Sequence, residues 1–171
     1  MKYKKHCLNI YICIVLIYID QITKYFAQRA LEDGPFVILN DVFELRYLEN
    51  RGAAFGIMQG GKVFFVILTV IVAALLVFYL ARLSEDKRHI PIRIVFLFLL
   101  SGAIGNFIDR IVRNYVVDFF YFKLIDFPIF NVADIYVTCS VIVLVLLILF
   151  YYKEKELNEI LSLKRKNNPV E

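Results

Sequence analysis

The sequence predicts a mainly α membrane protein: four transmembrane helices with a small extracytoplasmic β-hairpin or cradle. Three observations predict it. The 171-residue chain is 60% hydrophobic with a mean hydropathy of +0.67, where a soluble globule is only about half apolar. The apolar residues gather in a few blocks of bilayer-crossing length. The Lys and Arg residues cluster at alternate ends of those blocks, as the positive-inside rule requires.

The first helix is expected over about 7–29. A short basic head, MKYKKH, precedes the apolar run Leu8 to Ile19. A basic head and a short apolar core also describe a cleavable signal peptide. No small-x-small cleavage site follows, however. The chain continues Asp20, Gln21, Ile22, Thr23, Lys24, and helical periodicity runs on through Tyr25, Phe26 and Ala30. Cys7 follows His6 and Cys13 follows Ile12, so the small residue that precedes a lipid-bearing cysteine is missing. Asp20 and Lys24 are four apart, hence on one helix face. An internal ion pair there lets both enter the bundle.

Residues 30–62 form the first outer segment. PFVILND and VFELRYLEN have strand-like composition around an Asn40-Asp41 turn signal. Asn50-Arg51-Gly52-Ala53-Ala54-Phe55-Gly56 follows, and its small residues permit close backbone approach.

The second helix is expected over 63–81. Val63 to Ala81 carries no charge and spans roughly 28 Å at 1.5 Å per residue. A basic loop, Arg82 to Arg93, leads to the third helix, about 92–112. Ser101, Gly102, Ala103 and Gly105 lie near its outer end, where small residues let membrane helices pack closely. The second outer segment covers 113–131, the fourth helix 132–152, and a polar cytoplasmic tail 153–171. The whole, 1–171, reads as one integral membrane domain.

Topology follows from counting basic residues. With four spans, Lys2, Lys4, Lys5, Arg82, Lys87, Arg88, Arg93, Lys153, Lys155, Lys164, Arg165 and Lys166 share one side, and the other eight fall elsewhere. Both termini are therefore expected in the cytoplasm. Asp20, Asn50, Asp109, Asp118 and Asp134 then gather at the outer face.

Composition argues against several function classes. No dense basic run is interleaved with aromatics as in a nucleic-acid face. Cys7, Cys13 and Cys139 are odd in number, lack CxxC spacing and lie in or beside apolar runs, so they read as buried small hydrophobes. His6 and His89 sit in basic juxtamembrane stretches, and no carboxylate–histidine cluster suggests a metal. No cofactor is expected.

The chemistry concentrates between Ser101 and Asp134. Carboxylates, a guanidinium and amides beside hydrocarbon-length runs are costly, which marks a functional site. Asp118 and Asp134 near a low-dielectric boundary cannot both ionise cheaply, so they share a proton. Such a pair suits hydrolysis: one member takes a proton from water and the other donates to a carbonyl. Arg110 and the amides of Asn50, Asn106 and Asn131 supply donors for an extended peptide or a lipid ester. Arg110 has the alternative of snorkelling, or pairing with Asp109 or Asp126. Asp126 reads as a solvated loop acid. Phe119, Phe120, Tyr121 and Phe122 read as an interfacial belt. Two other classes stay open on residues alone: a proton- or ion-coupled carrier, motivated by intramembrane acids, and a non-catalytic membrane scaffold.

Five stretches, in order on the four expected spans, resemble the bacterial lipoprotein signal peptidase family (signal peptidase II), a family of membrane aspartyl proteases. They are Asp20 to Lys24, Asn50 to Gly56, Gly105 to Arg110, Val116 to Phe119, and Phe130 to Asp134. The resemblance implies cleavage of signal peptides from diacylglyceryl-modified prolipoproteins, just before the lipidated cysteine. It implies Asp118 and Asp134 as the catalytic pair. Asn50, Asn106, Asp109, Arg110 and Asn131 become the polar shell for substrate or for the peptide inhibitor globomycin, with Asp20, Lys24 and Gly52 in support. Asp118 rather than Asp109 is taken as the partner of Asp134, because Asp109 is read as the ionic partner of Arg110. A monomer in the bacterial cytoplasmic (inner) membrane is expected, in contact with membrane lipid.

Overall fold

The computed structural model describes residues 2–52 and 61–161. Its elements in chain order are α1 (Lys2–Ala30), β1 (Phe36–Leu39), β2 (Phe43–Asn50), α2 (Lys62–Arg82), α3 (Ile90–Val112), β3 (Val116–Tyr121), α4 (Val132–Leu146) and α5 (Glu154–Leu161). The fold class is the expected one. Ala53 to Gly56, part of the second motif, and the end of the tail, 162–171, lie outside the described residues.

Four helical segments are long and apolar enough to cross a membrane: His6–Ala30, Lys62–Arg82, Lys87–Val112 and Val132–Tyr151, with mean hydropathies of 1.5, 3.1, 1.8 and 2.7. Their outward faces carry exposed apolar side chains, among them Ile10, Ile14, Val63, Ile67, Ile71, Ile142 and Leu149. Such faces are stable only where the solvent is lipid. The same environment corrects the reading of two cysteines. Cys7 and Cys139 are exposed, so their apolar surroundings are hydrocarbon rather than protein interior.

The third helix organises the bundle. α3 packs against α1, α2 and α4, and α4 also touches α1. Pro91 sits in its first turn, where a missing N–H costs nothing. Near its other end two glycines allow close approach. A Cβ on Gly102 would stand 2.6 Å from the Ala133 carbonyl oxygen, and one on Gly105 would stand 2.5 Å from Asp20 Oδ2. These positions bring α1, α3 and the start of α4 together at one end of the bundle. At the other end, Leu76, Leu80, Leu83, Ile92, Val95, Leu97, Tyr152 and Ile160 form a buried cluster, with α5 packed beneath it. α4 leaves the bundle through one wide turn, Leu147–Tyr151.

The outer segments form a three-stranded antiparallel sheet in the order β1-β2-β3. The hairpin around Asn40-Asp41 is present, with Asp41 at a positive φ of 55°. The third strand, Val116–Tyr121, is an addition to the sequence expectation. β2 pairs with it through Leu48↔Asp118 and Asn50↔Val116, with a bulge between Leu45 and Leu48. Val117 and Phe119 pack on Ala27 of α1 and on Leu31 just after it. The aromatic run is therefore not an interfacial belt throughout. Phe119 is 4% exposed, because strand alternation turns it inward. Phe120 stacks on Phe43.

Candidate active site

Strand β3 and the first turn of α4 deliver the two carboxylates. Asp118 lies mid-strand and is 1% exposed. Asp134 is the third residue of α4, in a reciprocal cap with Asn131. The Asn131 side chain accepts from the Asp134 backbone N–H at 3.0 Å, and Asp134 Oδ2 accepts from the Asn131 backbone N–H at 3.1 Å. This arrangement satisfies two orphan donors of the helix start. It also fixes the Asp134 carboxylate beside the positive end of the helix dipole.

Three asparagine amides aim at this pair. Asn50 Nδ2 donates to Asp118 Oδ2 at 2.8 Å. Asn131 Nδ2 donates to Asp118 Oδ1 at 2.6 Å. Asn106 Nδ2 donates to Asp134 Oδ1 at 2.8 Å. Each amide has its carbonyl end held by a group that can only donate. For Asn50 this is the backbone N–H of Gly52 at 3.0 Å, for Asn131 that of Asp134, and for Asn106 the Lys24 ammonium at 2.9 Å. The polarity of all three amides follows from these partners. Asn131 Nδ2 also reaches Asn106 Oδ1 at 3.1 Å, joining the two halves of the site. Burial, followed by the nearby Asp134 carboxylate, pushes the Asp118 carboxyl up to about 7, against the donors Asn50 and Asn131.

A buried ionic network lies behind the pair. Lys24 Nζ stands 2.9 Å from Asp20 Oδ2 and 3.0 Å from Asp109 Oδ2, with all three side chains fully buried. The ion pair expected from the four-residue spacing of Asp20 and Lys24 is thus present. Asp20 Oδ1 accepts the backbone N–H of Ala133 at 2.9 Å, tying α1 to the start of α4. Gln21 Nε2 reaches Asp109 Oδ1 at 3.2 Å and the Gly105 carbonyl at 3.1 Å.

Asp109 requires a correction. It is not paired with Arg110 and does not line the site. Its carboxylate holds Lys24, Arg113 and the backbone N–H of Val117, and it has no exposed surface. Neighbours in a helix diverge by about 100°, whereas residues four apart share a face, which favours Arg113 over Arg110. Arg110 instead lies over the Phe65 ring at 5.0 Å and donates to the Asn106 carbonyl at 3.3 Å. It is half-buried at the rim of the site, facing α2.

Gln21, Arg113 and the Val117 amide were not anticipated. The four-residue spacing of Asp109 and Arg113 is the signal that points to one of them. Lys123 pairs with Asp41 at 2.8 Å, and Asp126 accepts from Tyr121 Oη at 2.5 Å, so both stand away from the carboxylate pair. Among the described residues no group of three or more His, Cys, Asp or Glu side chains is placed to hold a metal ion.

A family model described as signal peptidase (SPase) II matches residues 12–150. A lipoprotein signal peptidase of Clostridium tetani (strain Massachusetts / E88) is 41% identical over 151 residues, covering 86% of this chain and 94% of the relative. One from Clostridioides difficile (strain 630) is 40% identical over 145 residues, covering 84% and 96%. A bacterial membrane enzyme structure solved by the in meso method at 2.3 Å resolution superposes with a TM-score of 0.74 at 30% identity, covering 96% of this chain and 94% of that one.

Proposed function

This chain belongs to the signal peptidase II family, and from that premise we propose that it is an aspartyl endopeptidase acting on prolipoproteins through Asp118 and Asp134. It is a multi-pass membrane peptidase. The finer reading is that it removes the signal peptide from diacylglyceryl-modified precursors, cutting on the N-terminal side of the lipidated cysteine. The observation that carries the two-carboxylate mechanism is the coupling of Asp118 and Asp134 through Asn131, with Asp118 held near neutrality.

The resting pair carries one proton. Burial penalises either anion, and the α4 dipole at Asp134 tips the proton to Asp118. Asp134, at the helix start, is the anion. In the reaction Asp134 takes a proton from water, and the hydroxide oxygen bonds to the scissile carbonyl carbon. Asp118 gives its proton to the carbonyl oxygen. The tetrahedral adduct then collapses as the C–N bond breaks. Asp134 passes its proton to the leaving amine, and the new carboxyl returns one to Asp118. The pair ends as it began, with no covalent intermediate. Asn50, Asn106 and Asn131 hold the carboxylates in register, and Arg110 at the rim is placed to contact the substrate backbone or its ester.

The charge bias supports an orientation with both termini in the cytoplasm and the site at the outer face. The enzyme acts as a monomer in contact with lipid, and globomycin occupies the same site. Purified enzyme incubated in detergent with a diacylglyceryl prolipoprotein should release a mature chain whose first residue, by mass spectrometry, is the lipidated cysteine. Cleavage at another bond, or equal cleavage of unlipidated precursor, overturns this substrate assignment.

A further inference from the structure

We propose that Lys24 is a positioning residue for the hydrolytic pair: by holding the carbonyl end of Asn106, it fixes which end of that amide faces Asp134. The inference rests on the two-carboxylate reading above and deepens it.

An ammonium has three hydrogens and no acceptor. Lys24 spends them on three oxygens: Asp20 Oδ2 at 2.9 Å, Asp109 Oδ2 at 3.0 Å and Asn106 Oδ1 at 2.9 Å. A salt bridge alone would need only the carboxylates. The charges of Asp20, Asp109, Lys24 and Arg113 already cancel, so the network is closed without Asn106. The third contact does something else. Asn amides have two ends of nearly equal shape, and only their partners choose between them. With Lys24 on the oxygen, the NH₂ end must point at Asp134 Oδ1, which it meets at 2.8 Å. The same oxygen takes Asn131 Nδ2 at 3.1 Å, whose other hydrogen goes to Asp118 at 2.6 Å. One buried cation thus sets the polarity of the side-chain donor on Asp134, while the Asp134 N–H sets that of Asn131.

Without Lys24 the Asn106 oxygen keeps only the longer contact from Asn131 Nδ2 at 3.1 Å, and the amide can turn that oxygen toward Asp134. Two acceptors then face each other, a contact relieved only when a proton lies between them. The pair consequently keeps its protons to higher pH. The charged groups facing the pair are Asp20 and Lys24 from α1 and Arg110 from α3, with Asp109 and Arg113 behind them. β2 contributes only the neutral Asn50.

Removing Lys24 alone strands two buried carboxylates, so the test removes Asp20's charge as well. Asp20→Asn is compared with Asp20→Asn/Lys24→Met, as full-length enzyme in detergent, on a diacylglyceryl prolipoprotein. The double variant should shift both limbs of its pH–rate profile upward by about one pH unit, a roughly tenfold loss of rate on the acid side. The loss falls in kcat while KM stays within about twofold, because substrate contacts are intact. A profile superimposable on that of Asp20→Asn overturns the proposal; a merely structural Lys24 would lower the folded fraction without moving the limbs. Asn106→Ala keeps the Lys24 charge and removes only the amide donor to Asp134, so it separates the amide's effect from the loss of a nearby cation. It must show the upward shift, and an unshifted profile overturns the proposal even if the double variant does not fold. If Asp134→Asn cleaves like the unaltered enzyme, the two-carboxylate reading itself fails. Unshifted variants beside an inactive Asp134→Asn sink the Lys24 inference alone.

Discussion

Asp118 and Asp134 sit on different elements yet are coupled through one residue. Asn131 gives its side-chain amide to Asp118 at 2.6 Å and its backbone N–H to Asp134 at 3.1 Å. The helix cap and the geometry of the carboxylate pair are therefore one structure. Asn131→Ala keeps the backbone N–H to Asp134 but removes the donor to Asp118 and the side-chain half of the cap, and should cost about 1–2 kcal/mol of stability, as lost caps do, with a cleavage loss well beyond tenfold. Asn131→Asp keeps the cap but sets a third carboxylate against Asp118. It should retain more of the thermal stability and still fail to cleave. Thermal unfolding and initial rates on the same preparations check both statements.

Asp118 makes the protein's stability depend on pH. Its carboxyl is raised from 3.8 to about 7, first by burial and then by Asp134. A raised acid contributes stability that is complete below its unfolded value and lost as pH rises through the folded value. The melting temperature should therefore fall between about pH 4 and pH 7, and Asp118→Asn should flatten the curve over that window. Differential scanning fluorimetry across the range decides it; equal slopes for the two proteins contradict the assignment.

Much of this arrangement is legible in the sequence, for identifiable reasons. Val63 to Ala81 has no reading other than a span, because its length and lack of charge leave none. The Asp20–Lys24 pair follows from helical spacing, and Gly102 and Gly105 announce a close helix contact. β3 was harder to see. Val116 to Tyr121 is rich in β-branched and aromatic residues, but its partner strand is distant in sequence and a membrane interface recruits the same aromatics. Asp109 and Arg110 are adjacent in sequence, but helical phase parts them and turns Asp109 to Arg113 and Lys24. The triple use of Lys24 depends on how α1 packs against α3, which no local pattern encodes.

Gly105 tests that meeting point. Its hypothetical Cβ lies 2.5 Å from Asp20 Oδ2 and 3.4 Å from Ala133 Cβ. Asp20 cannot give way, because Lys24 and the Ala133 N–H hold both its oxygens. Gly105→Ala should cost about 1–3 kcal/mol, as overpacking does, and lower activity by displacing α1 from the start of α4. A melting temperature equal to that of the unaltered enzyme contradicts the packing.

The opposite end of the bundle should be separable from catalysis. Arg88 grips Glu156 through two contacts, at 2.9 and 3.1 Å, and lies 3.8 Å over the Tyr151 ring. Arg88 pulls the Glu156 carboxyl down to about 2, with help from the Lys153 N–H. A depressed acid contributes above its ordinary value and is lost as pH falls through the folded one, so α5 should stay docked at about pH 4. Glu156→Gln should speed hydrogen exchange across Glu154–Leu161 and leave cleavage within about twofold. Exchange mass spectrometry with a parallel activity assay reads both.

The central claim is that two carboxylates on β3 and α4 together activate water. Its most direct test is the single-turnover cleavage rate of Asp118→Asn and Asp134→Asn, each confirmed folded by its melting curve, on a diacylglyceryl prolipoprotein in detergent. The account predicts that each loses at least about 10³-fold, the scale of removing a general acid or base. Cleavage within tenfold of the unaltered enzyme by either folded variant would contradict it.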